Sequence, residues 1–393
     1  PAVIGITTTI IASALLLNAI ADFGLGTALP FYLSRGPESA GTLTNSVIRV
    51  GWLLGISSAI IFVMGIGFWS PALEILSEDP FLTVLFLIFV PVNLLLGIQD
   101  AAMLALRHAR YVFWRNVFCN LPSPLILLLT VSVLDGEQAV FLAYVLPNLL
   151  FALIAGGFLL PRVIPGYRFI GTYAPSEIKR LRRYGFATYF GNILWGLPGQ
   201  LMPLIAVNTV SPTATGYFFM NWTVTNILFI APRTTASALF VEGARNSHIL
   251  SKLVLRSLAF IFLITLPLVA FLWLLGSDMM ALFGKGYVDS FTLRVLLLSI
   301  VPFSINTVTV MVLRIQEKLK AVVLFSAFVA LLTVLSTGLL SRHTGIRGLA
   351  IGWSAGQMIS ACVALIHLLL GLPSLSGILS RQYSKFRSHS LYL

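Results

Sequence analysis

Long apolar stretches alternate with short polar segments along the whole chain. Eleven stretches are each close to the 20 residues that a helix, rising about 1.5 Å per residue, needs to cross about 30 Å of hydrocarbon. Since backbone polar groups in lipid must be satisfied within their own segment, each stretch is predicted to be an α-helix. The predicted spans are 2–20, 45–69, 81–98, 112–134, 138–160, 186–208, 216–240, 255–275, 291–313, 321–341 and 347–370.

The composition agrees with this pattern. Hydrophobic residues make up 58% of the chain and charged residues 10%, whereas a soluble domain carries about 25% charged residues. The sequence therefore predicts an all-α, polytopic membrane protein.

Basic residues divide the loops into two alternating sets. Only four of the 25 Lys and Arg, namely Lys285, Arg294, Arg342 and Arg347, fall in one set. The positive-inside rule then places the C-terminus in the cytoplasm. Because the net charge of +12 is spread over many loops and not gathered on one basic domain, we expect membrane lipids as partners and no nucleic acid.

The two halves of the chain align at a shift of about 207 to 209 residues, which pairs Leu106-Arg107 with Leu313-Arg314 and Gly136 with Gly345. The span at 186–208 has no partner in this alignment. We therefore expect two pseudo-symmetric lobes and twelve helices, of which the first is missing. The predicted domains are an N-terminal lobe at 1–165 (helices 2–6), a cytoplasmic linker at 166–185, a C-terminal lobe at 186–375 (helices 7–12) and a basic cytoplasmic tail at 376–393.

The stretch from Pro161 to Gly185 that joins the lobes contains Pro161, Pro165, Gly166, Pro175 and the basic run Lys179-Arg180-Leu181-Arg182-Arg183. Ser176-Glu177 is a weak helix start. The segment is either a short amphipathic helix on the lipid headgroups or a solvated loop.

Charged residues within spans are candidate functional groups, since a charge at mid-bilayer costs about 2.5–3.5 kcal/mol even on insertion scales. Arg233 follows Pro232, which breaks the helix and frees carbonyls. Its guanidinium either meets an anionic substrate in a cavity or snorkels to the interface. Arg49 and Arg115 have the same two interpretations, and Asp100 is expected to pair with a neighbouring arginine.

Uncharged polar residues gather in two further spans. Asn192 and Trp195 are three residues apart and share a helix face. Asn221 with Thr225, and Trp222 with Asn226, are each four residues apart and also share a face. Amide groups beside aromatic rings suit sugar hydroxyls, but they equally suit hydrogen bonding between helices.

The sequence has no arrangement typical of catalysis. It has no Gly-rich phosphate loop, no HExxH and no Ser/His/Asp or clustered-carboxylate pattern. We therefore expect a protein that is not an enzyme and that uses no cofactor or metal.

Four short motifs, in their order along the chain, resemble one family. They are Ala21-Asp22-Phe23-Gly24-Leu25-Gly26, Val210 to Phe218, Ala281 to Tyr287 and Gly345 to Ala350. This order is similar to that of the polysaccharide flippases, the Wzx-type O-antigen transporters of the multidrug/oligosaccharidyl-lipid/polysaccharide (MOP) exporter superfamily. The resemblance extends over nearly the whole chain.

The resemblance implies that the protein flips an undecaprenyl-pyrophosphate-linked oligosaccharide across a bacterial cytoplasmic membrane. It also implies a cationic cavity with Arg233 and Arg49 at the pyrophosphate, a proton or Na⁺ gradient as energy source, and a polysaccharide polymerase and glycosyltransferases as pathway partners. Two alternatives remain open: a MATE-like drug or cation antiporter of the same fold, and a non-transport membrane subunit or transferase.

Overall fold

The computed structural model describes residues 1–33, 40–168, 171, 173–245, 249–284, 287 and 289–371. These residues form helices, turns and loops, and no strand occurs among them. Eleven helical segments among the described residues are long and apolar enough to cross a membrane, as the hydrophobic pattern predicted. The predicted basic tail at 376–393 lies outside the described residues.

The chain divides into two compact units, residues 1–216 and 217–393. The first contains α1 (Ala2–Ala21), α2 (Leu25–Leu33), α3 (Ala40–Met64), α4 (Ile66–Trp69), a 3₁₀ turn (Pro71–Leu73), α5 (Ile75–Glu78), α6 (Pro80–Ala105), α7 (Ala109–Asn120), α8 (Ser123–Thr130), α9 (Gly136–Ile154), a π-helical turn (Ala155–Leu159), α10 (Leu160–Val163) and α11 (Pro175–Thr209).

Helix α12 (Pro212–Leu228) begins in the first unit and ends in the second. The second unit continues with α13 (Ile230–Arg245), α14 (Leu250–Ala281), α15 (Ser290–Leu298), α16 (Ile300–Ile315), α17 (Leu319–Thr344) and α18 (Ile346–Gly371). The lobe boundaries at 1–165 and 186–375 and the pseudo-symmetry between lobes stay predictions.

The predicted linker does not form a helix of its own. Helix α11 begins at Pro175, next to the predicted start at Ser176, and continues to Thr209 without interruption. Residues 175–185 are therefore the first turns of a membrane helix, because no proline or glycine pair stops the helix between the basic run and the apolar stretch.

The N-terminal unit packs around α6, which contacts α1, α2, α3, α7 and α9. Asp79 caps its start by accepting hydrogen bonds from the backbone N–H groups of Phe81 (2.8 Å) and Leu82 (3.3 Å), and Pro80 occupies the first helical position. The central placement of α6 explains why its polar residues, described below, line cavities on more than one side.

Helices α17 and α18 form a closely packed pair in the C-terminal unit. A methyl group added to Gly352 would lie 2.4 Å from the Thr337 Cα, and one added to Gly356 would lie 2.5 Å from the Thr333 Cα. Small residues four positions apart let helix backbones approach in this way. Across the seam, the Gln357 amide donates to the Thr333 hydroxyl at 3.3 Å.

We predict opposite effects for two Gly→Ala substitutions in this helix pair. Gly352→Ala should lower the thermal stability of the protein in detergent, because the new methyl group meets backbone atoms that cannot move aside. Gly338→Ala should raise it, since no atom outside the helix's own neighbouring backbone lies within 4 Å of the added methyl group and alanine favours a helix over glycine by up to about 1 kcal/mol. Equal shifts in both variants would contradict the close-packed seam.

Candidate functional site: polar cavities of the N-terminal unit

A cavity of about 540 Å³, here called the Arg49 cavity, lies between α3, α6 and α9. Arg49 and Trp52 of α3 line it together with Gln99 of α6. The guanidinium of Arg49 is exposed, and its Cζ lies 5.8 Å from the centre of the Tyr173 ring. The cavity thus combines a cation, an amide and aromatic rings.

The segment that follows α10 closes one side of this cavity. The side chains of Asn45 and Ser46 on α3 accept hydrogen bonds from the backbone N–H groups of Arg168 (3.4 Å) and Ala174 (2.9 Å). Tyr167 also lines the cavity, and burial raises the pKa of its hydroxyl to about 12. The hydroxyl is therefore a neutral hydrogen-bond donor at physiological pH.

A second cavity of about 290 Å³, here called the Asp100 cavity, has an unusually polar lining. Its polar residues come from α6, α7 and α9 and are Asn93, Asp100, Arg115, Asn116, Asn120, Tyr144 and Asn148. Asn116 and Asn120 lie four residues apart on one face of α7. The Asn18 amide on α1 donates to the Asn93 side chain at 3.0 Å, which extends the polar group toward α1.

Asp100 and Arg115 form an ion pair at this cavity, with 2.8 Å between Asp100 Oδ2 and an Arg115 Nη. The pairing expected for Asp100 is therefore confirmed. The pair leaves Asp100 Oδ1 and Arg115 Nε buried without a hydrogen-bond partner. A buried polar atom without a hydrogen bond is costly in a low-dielectric environment. A polar ligand or another conformation would supply hydrogen bonds to Asp100 Oδ1 and Arg115 Nε.

A third cavity of about 220 Å³, the Asp22 cavity, lies where the first helix is interrupted. Phe23 (φ 43°) and Gly24 (φ 82°) adopt left-handed conformations between α1 and α2. The Asp22 carboxylate accepts hydrogen bonds from the backbone N–H groups of Gly24 (3.2 Å) and Gly26 (2.8 Å) and so caps α2. Burial raises the pKa of Asp22, although these two N–H groups lower it in part.

Helix α11 supplies the opposite wall of the Asp22 cavity. The Tyr189 hydroxyl donates to the backbone carbonyl of Ile20, and the Tyr189 ring stacks on Phe23 with 5.7 Å between ring centres. Asn192 and Gln200 line the same cavity. Trp195 is half-buried on the same helix. Asn192 thus shares a cavity with Asp22, a residue of the motif Ala21 to Gly26.

Arg233 lies in the C-terminal unit, beside a cluster of aromatic rings. Its Cζ is 5.5 Å from the centre of the Phe303 ring, and Phe303 stacks on Phe229 at 4.2 Å between centres. Helix α12 ends at Leu228 and α13 begins at Ile230. The helix is interrupted here because Pro232 has no N–H group to donate to the Leu228 carbonyl. The exposed Arg233 guanidinium is therefore held by a cation–π contact near a helix break.

Asn221 and Asn226 lie on α12 and do not line the cavities described above. The Asn221 side chain is completely buried and donates to the Tyr217 carbonyl at 3.1 Å. The Asn226 amide donates to the Trp222 carbonyl at 3.0 Å. Each amide group thus bonds one turn back along its own helix.

The structure therefore distributes the seven candidate residues over several places. Arg49, Arg115 and Asn192 line three separate cavities of the N-terminal unit. Asn93, Asn148 and Gln99 also line cavities and were not predicted; Asn93 and Asn148 lie within predicted apolar spans and Gln99 directly follows one, which was a signal that could have found them.

The fold is that of MATE-family transporters of the MOP superfamily. One inward-facing multidrug-resistance MATE transporter of this superfamily aligns with a TM-score of 0.74 and 17% identity, covering 96% of this chain and 91% of that chain. An outward-facing form gives a TM-score of 0.65 at 18% identity, covering 96% and 88%. The proteins matched are transporters, and this chain is a multi-pass membrane protein of the same fold.

A third match is a MOP superfamily transporter from Pyrococcus furiosus, described as having a binding pocket of reversed polarity that suggests a different function. It aligns with a TM-score of 0.63 and 18% identity and covers 95% of this chain and 88% of that chain. No family model matches the sequence, and no curated protein does.

We predict that neutralising one member of the Asp100–Arg115 pair destabilises the protein more than neutralising both. Asp100→Asn or Arg115→Gln alone should each cost about 3 kcal/mol of stability, because an unpaired charge stays in the protein interior. The double variant should recover most of this loss. A double-mutant cycle of unfolding free energies in detergent measures the coupling, and additive losses would contradict a paired interior charge.

Proposed function

We propose that this protein flips a lipid-linked oligosaccharide with an anionic headgroup across a membrane. The observation that carries the proposal is the Arg49 cavity, in which the exposed residue Arg49 shares the lining with Gln99, Trp52 and Tyr167. A guanidinium forms strong charge-assisted hydrogen bonds with phosphate oxygens, and amides and aromatic rings suit sugar hydroxyls and ring faces. Such a set fits a phosphorylated glycan better than a cationic drug.

Desolvation makes the position of Arg49 important. Moving an anion from water into a low-dielectric cavity is costly unless a counter-charge and hydrogen-bond donors are already in place. The cation–π contact with Tyr173 orients the guanidinium before any ligand arrives. Pre-placed charge therefore offsets the cost of bringing a pyrophosphate group into the membrane.

The fold by itself does not identify the substrate. The matched structures include multidrug MATE transporters and also the Pyrococcus furiosus protein, whose pocket is described as reversed in polarity. Binding pockets of different polarity thus occur on this fold, and an arginine-lined cavity is compatible with an anionic substrate. Arg233 is the second cation of the proposal, since it is exposed in the C-terminal unit.

The proposal includes the cellular setting implied by the family resemblance. The membrane would be the bacterial cytoplasmic membrane with the C-terminus in the cytoplasm, and the energy would come from a proton or Na⁺ gradient. Glycosyltransferases would act before the flipping step and a polysaccharide polymerase after it, because the substrate must be built on one side of the membrane and used on the other.

We predict that Arg49→Gln slows flipping of a fluorescent lipid-linked oligosaccharide in proteoliposomes about tenfold to hundredfold, the range expected when one charge-assisted hydrogen bond is lost. Arg49→Lys should retain part of the rate, since lysine keeps the positive charge but cannot form the two parallel hydrogen bonds of a planar guanidinium. Arg256→Gln, which removes an exposed arginine of α14, is the matched control. An unchanged rate in Arg49→Gln would remove Arg49 from the proposal, and absence of flipping by the unaltered protein would end it.

A cation or drug antiporter is a second candidate, favoured by the Asp22 cavity. Cation exchange needs a carboxylate that can be protonated in a protected site, and Asp22 lies in a cavity with Asn192 and Gln200. Its pKa is raised by burial, so its proton is bound up to a higher pH than that of an exposed aspartate.

We predict the following contrast in the same vesicles. If the protein is an antiporter, Asp22→Asn abolishes proton-driven uptake of a cationic dye, and Arg49→Gln leaves uptake unchanged. If it is a flippase, the unaltered protein takes up no cationic dye, and the flipping rate depends on Arg49. Measuring both substrates with both variants distinguishes the two functions.

A further inference from the structure

The largest of the cavities described here is an apolar groove of about 770 Å³ on the N-terminal unit. Helices α7 and α8 form one wall, and α9 with the π-helical turn forms the other. Trp114 and Phe118 on one side and Leu150 and Ile154 on the other are each about half exposed. The groove is therefore open sideways, toward the surrounding bilayer.

Three interruptions of regular helix create this groove. Pro122 separates α7 from α8, Pro147 lies inside α9, and residues 155–159 form the π-helical turn. Pro122 and Pro147 both line the groove, as does Leu159 of the π turn. Prolines and π-helical turns bend the helices that contain them, and the lining of the groove offers almost no polar groups that water could bind.

The wall formed by α7 and α8 is held weakly by protein contacts alone. Only Tyr111 and Cys119 are buried in α7, and no residue is buried in α8. Among the eleven described membrane segments, this one has the smallest buried fraction. Helices α7 and α8 both contact α9, and a bound apolar chain would add contacts along their exposed side chains.

The length of the groove restricts the occupant. It runs from His108 to Ile126 on one wall and from Val163 to Pro147 on the other, which corresponds to about 24–27 Å of helix. One leaflet contributes only about 15 Å of a hydrocarbon core of about 30 Å. An acyl chain that ends at the bilayer midplane is too short to fill the groove, whereas a long polyprenyl chain is not.

The end of the groove predicted to be cytoplasmic is basic. His108 lines it, and the exposed Arg107 and Arg110 flank His108 in sequence. Arg162, also exposed, adjoins Val163 on the opposite wall. Basic groups of this kind at the membrane surface attract anionic lipid headgroups.

We propose that this groove binds a polyprenyl phosphate before transport, with the phosphate at the basic end and the chain extending past the midplane toward Ile126; the phosphate leaves this end when it enters the Arg49 cavity. The inference rests on the proposed function, since it assigns a place on the protein to the isoprenoid part of the substrate. The lipid tail is thus held along α9 before the phosphate enters the Arg49 cavity and does not move freely in the bilayer at that stage.

The test is lipid binding by the full-length protein in detergent, measured by native mass spectrometry. The probes are a polyprenyl phosphate longer than one leaflet, the corresponding uncharged polyprenol, farnesyl phosphate and phosphatidylglycerol. We expect the long polyprenyl phosphate to bind about tenfold more tightly than each of the other three. Equal binding of phosphatidylglycerol or farnesyl phosphate would overturn the proposal, because a chain confined to one leaflet would then suffice.

Groove-filling variants locate the binding. Leu150→Trp should weaken binding of the long polyprenyl phosphate about tenfold, and Ile154→Trp is a second variant in case the first does not fold. Leu266→Trp on α14 is the matched control, since Leu266 is 50% exposed and Leu150 is 51% exposed. Equal binding by Leu150→Trp, Ile154→Trp and the control would overturn the assignment to this groove.

The binding assay also separates this inference from the proposed function. Flipping by the unaltered protein together with unaffected lipid binding in Leu150→Trp would reject the groove and leave the transport function standing. Groove-dependent binding without any flipping of a lipid-linked oligosaccharide would reject the transport function and leave the groove standing.

Discussion

The structure depends on one constraint: polar groups placed within a hydrocarbon layer must find partners inside the protein. The backbone meets this constraint by forming helices, which explains why the described residues contain no strand. Side chains meet it in two ways. Thr, Ser and Asn residues bond back to carbonyls of their own helix, as Asn221 does to Tyr217, and others pair across helices, as Asn18 does with Asn93.

The same constraint explains why the helix interruptions matter. At the break after α1, the Asp22 carboxylate and the Tyr189 hydroxyl satisfy the backbone groups that the helix releases. The π-helical turn and the prolines of α7–α9 leave an apolar groove instead. Interruptions with polar neighbours thus produce polar cavities, and interruptions with apolar neighbours produce space that suits a lipid chain.

The types of residue that line the candidate cavities could be predicted from the sequence, but which of them lie together could not. An arginine within an apolar span is a signal in any membrane sequence, and Arg49 and Arg115 both line cavities. Sequence spacing could not show that Arg115 faces Asp100 from a different helix, or that Asn192 faces Asp22 across 170 residues of chain. Such contacts depend on which helices are neighbours, and helix periodicity describes only one helix at a time.

The amino-acid sequence by itself determined the class of the protein and its membrane segments. In the part of the chain that the structure describes, eleven helices are long and apolar enough to cross a membrane, because segment length and hydrophobicity are local properties of the chain. Tertiary structure decided the rest. It joined residues 175–185 to a membrane helix and set Gly352 against Thr337. It also divided the polar residues among three cavities and formed the groove beside α9. Contacts and cavities of this kind require a second helix at a particular distance and angle.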